Sequence, residues 1–187
     1  MTEADLLEAL RLHHRERGEQ FFSHVKMGES WSYGKKLRIL DGFALKPSWA
    51  HPHYYGYEVK VSRSDFLRDS KWQEYLPVCT TFSFVCPDGL IRPDELPAGI
   101  GLVYSLKDGG LKIAKRAQKS EVDVIKLADL LKYLVLYRVG RRRHHLAMAQ
   151  RQIAIDRDKC RRAEKDSERW FRKYCELDDK IRGGNAC

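Results

Sequence analysis

Asp41, Glu58 and Lys60 have the types and spacing for phosphodiester chemistry. Glu58 and Lys60 are two apart, so on a strand their side chains leave the same face. Asp41 lies in an apolar run, Leu37 to Leu45, that reads as a strand, and Tyr55 to Val61 reads as the next. If these strands pair, one carboxylate from each meets at one place, with an ammonium beside them. Two carboxylates aimed at one point repel unless a cation lies between them. Mg²⁺ or Mn²⁺ suits such oxygen ligands and keeps several waters. A bound ion polarises a phosphoryl group and lowers the pKa of the attacking water, which the lysine orients or helps deprotonate. The bare Asp-x16-Glu-x-Lys pattern also fits a solvated strand face carrying a Glu–Lys cross-strand pair. Its interleaving with Val59 and Val61, ahead of a crossover helix, argues for a buried strand instead.

The elements that must position these residues follow from periodicity and punctuation. Residues 2–17 predict a helix capped by Thr2, with Glu3 and Asp5 in the first turn and Gly18 at its end. The loop 46–54 carries Pro47 and Pro52, which cannot sit inside a central strand. A helix is expected from Ser64 to Leu76, stopped by Pro77, then a strand over Cys79 to Cys86. The strand, crossover helix and strand form a βαβ unit, whose two strands are parallel neighbours in a mixed sheet. Residues 100–105 and 111–115 predict a hairpin around Asp108-Gly109-Gly110. Residues 122–138 predict an apolar helix, and Gly140 then punctuates the chain. From Leu146 to Ile181 a 3-4 spacing runs without a slip, so a long amphipathic helix is expected, laid over its own domain or serving as a dimerising arm.

With Arg38-Ile39-Leu40-Asp41-Gly42, Tyr57-Glu58-Val59-Lys60-Val61-Ser62, Ser64-Asp65-Phe66 and Lys71-Trp72-x-x-Tyr75, the chain resembles the PD-(D/E)xK nuclease superfamily. Within it, it is most similar to small proteins related to the MmcB DNA-repair family. The resemblance covers roughly residues 1–120 and does not extend to the C-terminal helices. It implies an α/β, restriction-endonuclease-like core: a central mixed β-sheet flanked by helices, here followed by a long basic amphipathic helix. The implied segments are a core over 1–120, a helix packed on it over 121–139, and a basic helix over 140–187.

The resemblance also implies roles. Asp41 and Glu58 hold Mg²⁺ or Mn²⁺, with the Val59 carbonyl as a third ligand, and Lys60 positions or activates the water. Many members add a glutamate from the first helix. Glu3 fits this better than Glu8 because it shares a face with Leu7 and Leu10, although a first-turn glutamate also serves the helix dipole. Lys71 and Tyr75, four apart, would share a helix face beside the site, and Lys71 stands where related nucleases often have glutamine. Leu40 replaces the proline of the superfamily's name. His51 and His53, in the aromatic loop joining the two ligand strands, are expected near the site or at the sheet edge. They lack two further ligands for zinc.

Composition bounds these readings. Of 35 basic and 26 acidic residues, positions 1–137 hold 20 and 18, and positions 138–187 hold 15 and 8. The surplus is therefore mostly a property of the last helix, where Arg141, Arg142 and Arg143 would contact a polyanion. No stretch approaches the ~18 uncharged apolar residues of a membrane helix. The acidic start predicts no secretory leader, and five cysteines without a CxxC predict reduced thiols, so a cytoplasmic setting is expected. The expected activity is metal-dependent cleavage of nucleic acid, DNA before RNA, in DNA repair or phage DNA metabolism. The alternative is a non-catalytic nucleic-acid-binding or protein-interaction protein on the same fold, such as a phage-encoded inhibitor, with the last helix contacting a partner or a second copy.

Overall fold

Thr2 starts the first helix, α1 (Glu3–Glu16), with a reciprocal cap: its hydroxyl accepts from the Asp5 N–H, and the Asp5 carboxylate accepts from the Thr2 N–H. Gly18, at φ +69°, ends it. The Glu19 N–H donates to the His14 carbonyl and the Gly18 N–H to that of Arg15, a Schellman closure that needs a left-handed residue. This turn feeds directly into a strand. The computed structural model describes residues 1–27 and 38–183, with the side chains of 139–145, 147 and 178–183 outside the description.

Among the described residues six strands follow in chain order and pair in chain order: β1 (Gln20–Lys26), β2 (Ile39–Lys46), β3 (His53–Val59), β4 (Thr81–Pro87), β5 (Gly101–Ser105) and β6 (Leu111–Lys115). The β1–β2, β2–β3 and β5–β6 pairs are antiparallel, and β3–β4 and β4–β5 are parallel. The fold is thus mixed α/β, a six-stranded mixed sheet flanked by helices. The parallel β3–β4 neighbours and the β5–β6 hairpin agree with the expected connections.

One core cluster joins Leu6, Leu7 and Leu10 of α1 to Ala44, Tyr57, Val59 and Val85. Another joins Phe43, Phe82, Phe84 and Leu102 to Tyr75, Ile91, Leu127 and Leu130. A buried polar chain fastens α1 to the sheet. His14 Nδ1 lies 2.6 Å from Glu19 Oε2, and its Nε2 lies 2.9 Å from the Tyr57 hydroxyl. Burial holds His14 below the usual histidine value despite Glu19.

Gly56 of β3 makes room for Cys79, just ahead of β4, and for Phe82 of β4. A Cβ there would lie 2.3 Å from Cys79 Sγ and 3.0 Å from the Phe82 ring. Gly56→Ala is expected to cost about 1–3 kcal/mol by overpacking. Chemical denaturation would show the loss, and adding Cys79→Ala to remove the sulfur should restore part of it; an unchanged midpoint in Gly56→Ala would contradict this packing.

Two expectations need correction, and one strand had none. β1 was not anticipated: Phe21 and Phe22 are adjacent apolar residues, so alternation does not mark the strand. The single helix over 64–76 is instead α2 (Arg63–Arg68) and a separate 3₁₀ helix (Trp72–Val78). Asp69 leaves α2 with extended backbone (φ −81°, ψ 115°), and Pro77 lies inside the 3₁₀ helix, whose φ suits the proline ring. Gly140 does not punctuate the chain. The last helix, α3, is one element, Val124–Gly183, because a lone glycine costs only about 1 kcal/mol in a helix and no proline follows it.

The chain divides into two units, Met1–Leu136 and Tyr137–Cys187. In the first, Leu127 and Leu130 of α3 are buried. In the second, the side chains of Leu146, Ile153, Trp170, Tyr174 and Leu177 are exposed. Among the described residues no helix is long and apolar enough to cross a membrane.

Candidate metal centre

Asp41, Glu58 and Lys60 are brought to one end of the β2–β3 pair. Its register sets Gly42 opposite Tyr57, so the next rung carries Asp41 and Glu58. Gly42 lets the strands and β1 approach, since a Cβ there would lie 3.1 Å from Tyr57 Cβ and 3.2 Å from the Phe21 ring. Asp41 Oδ2 accepts the Val59 N–H at 2.9 Å. In an extended strand the N–H and C=O of one residue leave the same side, so the Val59 carbonyl also faces the β2 side. The Lys60 N–H donates to the Val85 carbonyl at 2.9 Å, which carries the β3–β4 pairing one residue past β3.

Glu58 and Lys60 are buried, 8% and 4% exposed. Lys60 Nζ donates to Glu58 Oε1 at 3.1 Å, lies 2.6 Å from Asp69 Oδ2, and lies 3.6 Å from Asp65 Oδ2. Asp69 therefore belongs to the site, delivered by the break after α2. Its Oδ1 accepts the Lys71 N–H at 2.8 Å. Sequence reasoning missed it by running one helix through 64–76; Asp69-Ser70, with its weak helix propensity, was the available signal.

Three carboxylates thus surround one ammonium. Burial first, and then the charge of Asp41, push Glu58 up to about 8 despite Lys60. Burial also pushes Asp41 up to about 6, against the Val59 N–H, with Glu3 adding to the rise. Burial alone would lower the Lys60 ammonium, but Asp69 and Glu58 reverse this and hold it above the ordinary lysine value. Burial would raise Asp69, but Lys60 holds it below the usual aspartate value. Glu58 Oε2 is buried with no hydrogen-bond partner. A buried acceptor left open in this way calls for an explanation.

Tyr75 borders the cluster. Its hydroxyl donates to the Ile39 carbonyl at 3.0 Å, and burial followed by the charges of Glu58 and Asp41 pushes it up to about 12. Lys71 does not share its face. It caps the 3₁₀ helix at the N-terminal end, and at three residues per turn positions four apart diverge by about 120°. Lys71 is exposed and Tyr75 is buried.

The first helix contributes Glu3. Glu3, His24 and Asp41 each offer a ligand atom, and these atoms lie within 4.8 Å of one another. His24 Nδ1 is 3.7 Å from Glu3 Oε1. Glu8 is instead exposed and ion-paired to Arg11. His24 was missed with the strand that carries it: the register Ser23–Gly42 and Val25–Leu40 sets it beside Asp41.

His51 and His53 are not near these groups. Asp41 is at the start of β2 and Glu58 at the end of β3, so the connecting loop lies at the opposite end of the hairpin. Five strand residues at ~3.3 Å each separate His53 from Glu58, about 16 Å. His53 Nε2 is 2.9 Å from Thr81 Oγ1 and its ring packs on Tyr55, while His51 is exposed. Arg141, Arg142 and Arg143 belong to α3, and their side chains lie outside the described residues.

No family model matches the sequence, and no curated protein does. Among solved structures, the chain is similar to SPO1766, a protein of unknown function from Silicibacter pomeroyi, with 22% identity and a TM-score of 0.55. The match covers 75% of this chain and 89% of that one. At this identity the likeness concerns the fold alone.

Proposed function

We propose that the protein is a metal-dependent nuclease with a restriction-endonuclease-like core of the PD-(D/E)xK kind, hydrolysing phosphodiester bonds in DNA. The observation that carries this reading is the Asp41–Glu58–Lys60 cluster, in which Glu58 and Lys60 are buried and Asp41 half-buried, with Glu58 Oε2 left without a hydrogen-bond partner. Carboxylates forced together in a dry site either take up protons or hold a cation. Asp41, with Glu58 on the facing rung and a Glu3 carboxylate oxygen within 4.8 Å of its own, offers oxygen donors of the kind that Mg²⁺ or Mn²⁺ would take, and the Val59 carbonyl would be a further one. When bound, such an ion polarises the phosphoryl group and lowers the pKa of a coordinated water.

The chain's own residues supply the remainder. Asp69 and Glu58 favour the charged form of Lys60, and as an ammonium it would donate hydrogen bonds to a phosphate or water oxygen. Asp69 gives it an anchor independent of Glu58, so Lys60 stays in place when Glu58 turns to a cation. The Val59 N–H orients Asp41 through Oδ2. Tyr75, tied to Ile39, walls the site from the 3₁₀ helix side.

The test is a cleavage panel over duplex, single-stranded and branched DNA and RNA, with Mg²⁺, Mn²⁺ or chelator. Metal-dependent cleavage of DNA that chelator stops is the expected result; none on any substrate would sink the reading.

A second reading, binding through α3 without catalysis, is favoured by the exposed seam of Leu146, Ile153, Trp170, Tyr174 and Leu177 and by the basic surplus there. Deleting residues 141–187 is expected to weaken DNA binding about tenfold or more and to flatten its salt dependence, and on this reading neither the full chain nor the truncated one cleaves DNA. Unchanged salt dependence with a loss of self-association, measured by sedimentation, would assign the helix to protein contact instead.

A further inference from the structure

We infer that His24 is a ligand of this site: with Glu3 and Asp41 it forms a nitrogen-bearing face that biases the centre toward a divalent transition ion such as Mn²⁺ over Mg²⁺. The inference rests on the proposed metal site and adds to it a residue and a metal preference.

Four observations support it. First, the three side chains each place a ligand atom within 4.8 Å of the others. Two ligands on one ion at about 2.1 Å lie up to about 4.2 Å apart, so modest side-chain rotation closes the set. Second, His24 has φ +51°, the left-handed region, and it alone among the described non-glycine residues has positive φ. The pairs on either side, Ser23–Gly42 and Val25–Leu40, keep their register, so the distortion is confined to the residue beside Asp41. Third, Asp41 is shared. It accepts the Val59 N–H through Oδ2 and places a carboxylate oxygen within 4.8 Å of ligand atoms of His24 and Glu3. Fourth, Glu58, on the rung opposite Asp41, is 8% exposed and its Oε2 has no hydrogen-bond partner.

The chemistry then sets the preference. Mg²⁺ favours an all-oxygen shell and dehydrates reluctantly. An imidazole suits transition ions, whose affinity for nitrogen donors rises along the series from Mn²⁺. A site holding only Asp41, Glu58, Glu3 and a carbonyl has no such bias, and one that adds His24 does.

The test uses the full chain and the metals alone. Affinities for Mn²⁺ and Mg²⁺ are measured by calorimetry and competition in the wild type, His24→Asn and Asp41→Asn. Asparagine tolerates left-handed backbone, so His24→Asn removes the imidazole and keeps the strand, which circular dichroism and melting check. Mn²⁺ should bind the wild type about tenfold or more tighter than Mg²⁺. His24→Asn should lose about tenfold in Mn²⁺ affinity with little change for Mg²⁺. Pulsed electron paramagnetic resonance of the Mn²⁺-loaded wild type should show nitrogen coupling from an imidazole, absent in His24→Asn. Mn²⁺ binding that Asp41→Asn weakens but His24→Asn does not, with no nitrogen coupling, would overturn the role of His24 and leave the carboxylate site standing. No metal binding to the wild type would overturn both.

Discussion

Replacing Glu58 by glutamine is expected to abolish divalent-metal-dependent cleavage, by about a thousandfold or more, while making the metal-free protein more stable at pH 8.5. The two effects have one cause. Burial and Asp41 hold the Glu58 carboxyl up to about 8, so in the metal-free site ionising it is unfavourable. Glutamine keeps the shape and an acceptor for Lys60 but carries no charge, which relieves the repulsion and removes a ligand. Asp41→Asn, which keeps an acceptor for the Val59 N–H, should lose cleavage in the same way. Lys60→Ala should also lose it, but at a cost of about 3–5 kcal/mol in stability, because it strips the counterion from Asp69 and the hydrogen-bond donor from buried Glu58. Its activity is therefore read at low temperature beside a melting curve. Single-turnover cleavage and thermal melting on the same samples decide the matter. A variant set that stays active, with Glu58→Gln no more stable than wild type, would remove Glu58 from both roles.

The second large effect is on pH. A carboxyl raised by folding stabilises the fold below its unfolded pKa, and that contribution is lost as pH rises through the folded value. For metal-free protein the loss runs from about pH 4 through about 6 for Asp41 and on to about 8 for Glu58. The sum is on the order of a few kcal/mol, or roughly 10 °C in melting temperature between pH 5 and pH 9. A saturating divalent ion binds the ionised carboxylates, so it should flatten this decline and add its own binding energy. Melting in chelator and in Mn²⁺ over that pH range is the measurement. A flat profile in chelator would mean that these carboxyls are not held in a dry, mutually repelling site.

Much of this arrangement could be read from residue order. The alternation of Tyr57, Val59 and Val61, the proline-bounded loop and the crossover spacing were enough to make β2, β3 and β4 neighbours and to bring Asp41 to Glu58. The polarity of that hairpin was legible too: it already implied that a loop joining the strands lies away from residues at their other ends, which removes His51 and His53. What could not be read lies where the backbone departs from regular periods. β1 presents paired aromatics where alternation was sought, and its His24 meets Asp41 only through a register that pattern does not reveal. Asp69 matters because α2 stops at Arg68, and helix propensity over 64–76 favours continuation until the Lys60 ion pair is weighed against it. Gly140 shows the opposite error, in which a local breaker is outweighed by good helix formers on both sides.

The strand order also bears on how the molecule comes into being. Every strand pairs with its predecessor in the chain, so no hydrogen-bonded ladder waits for a distant segment, and each loop closure carries a small entropic cost. Topologies rich in such near neighbours fold fast for their sheet content. During synthesis, α1, β1, β2 and β3 can assemble as an antiparallel meander that already contains Glu3, His24, Asp41 and Glu58. The parallel step to β4 then fixes Lys60 through Val85, and Asp69 arrives on the way. The proposed chemistry is therefore scaffolded by α1 through β4, while α3, which follows them in the chain, supplies none of those groups.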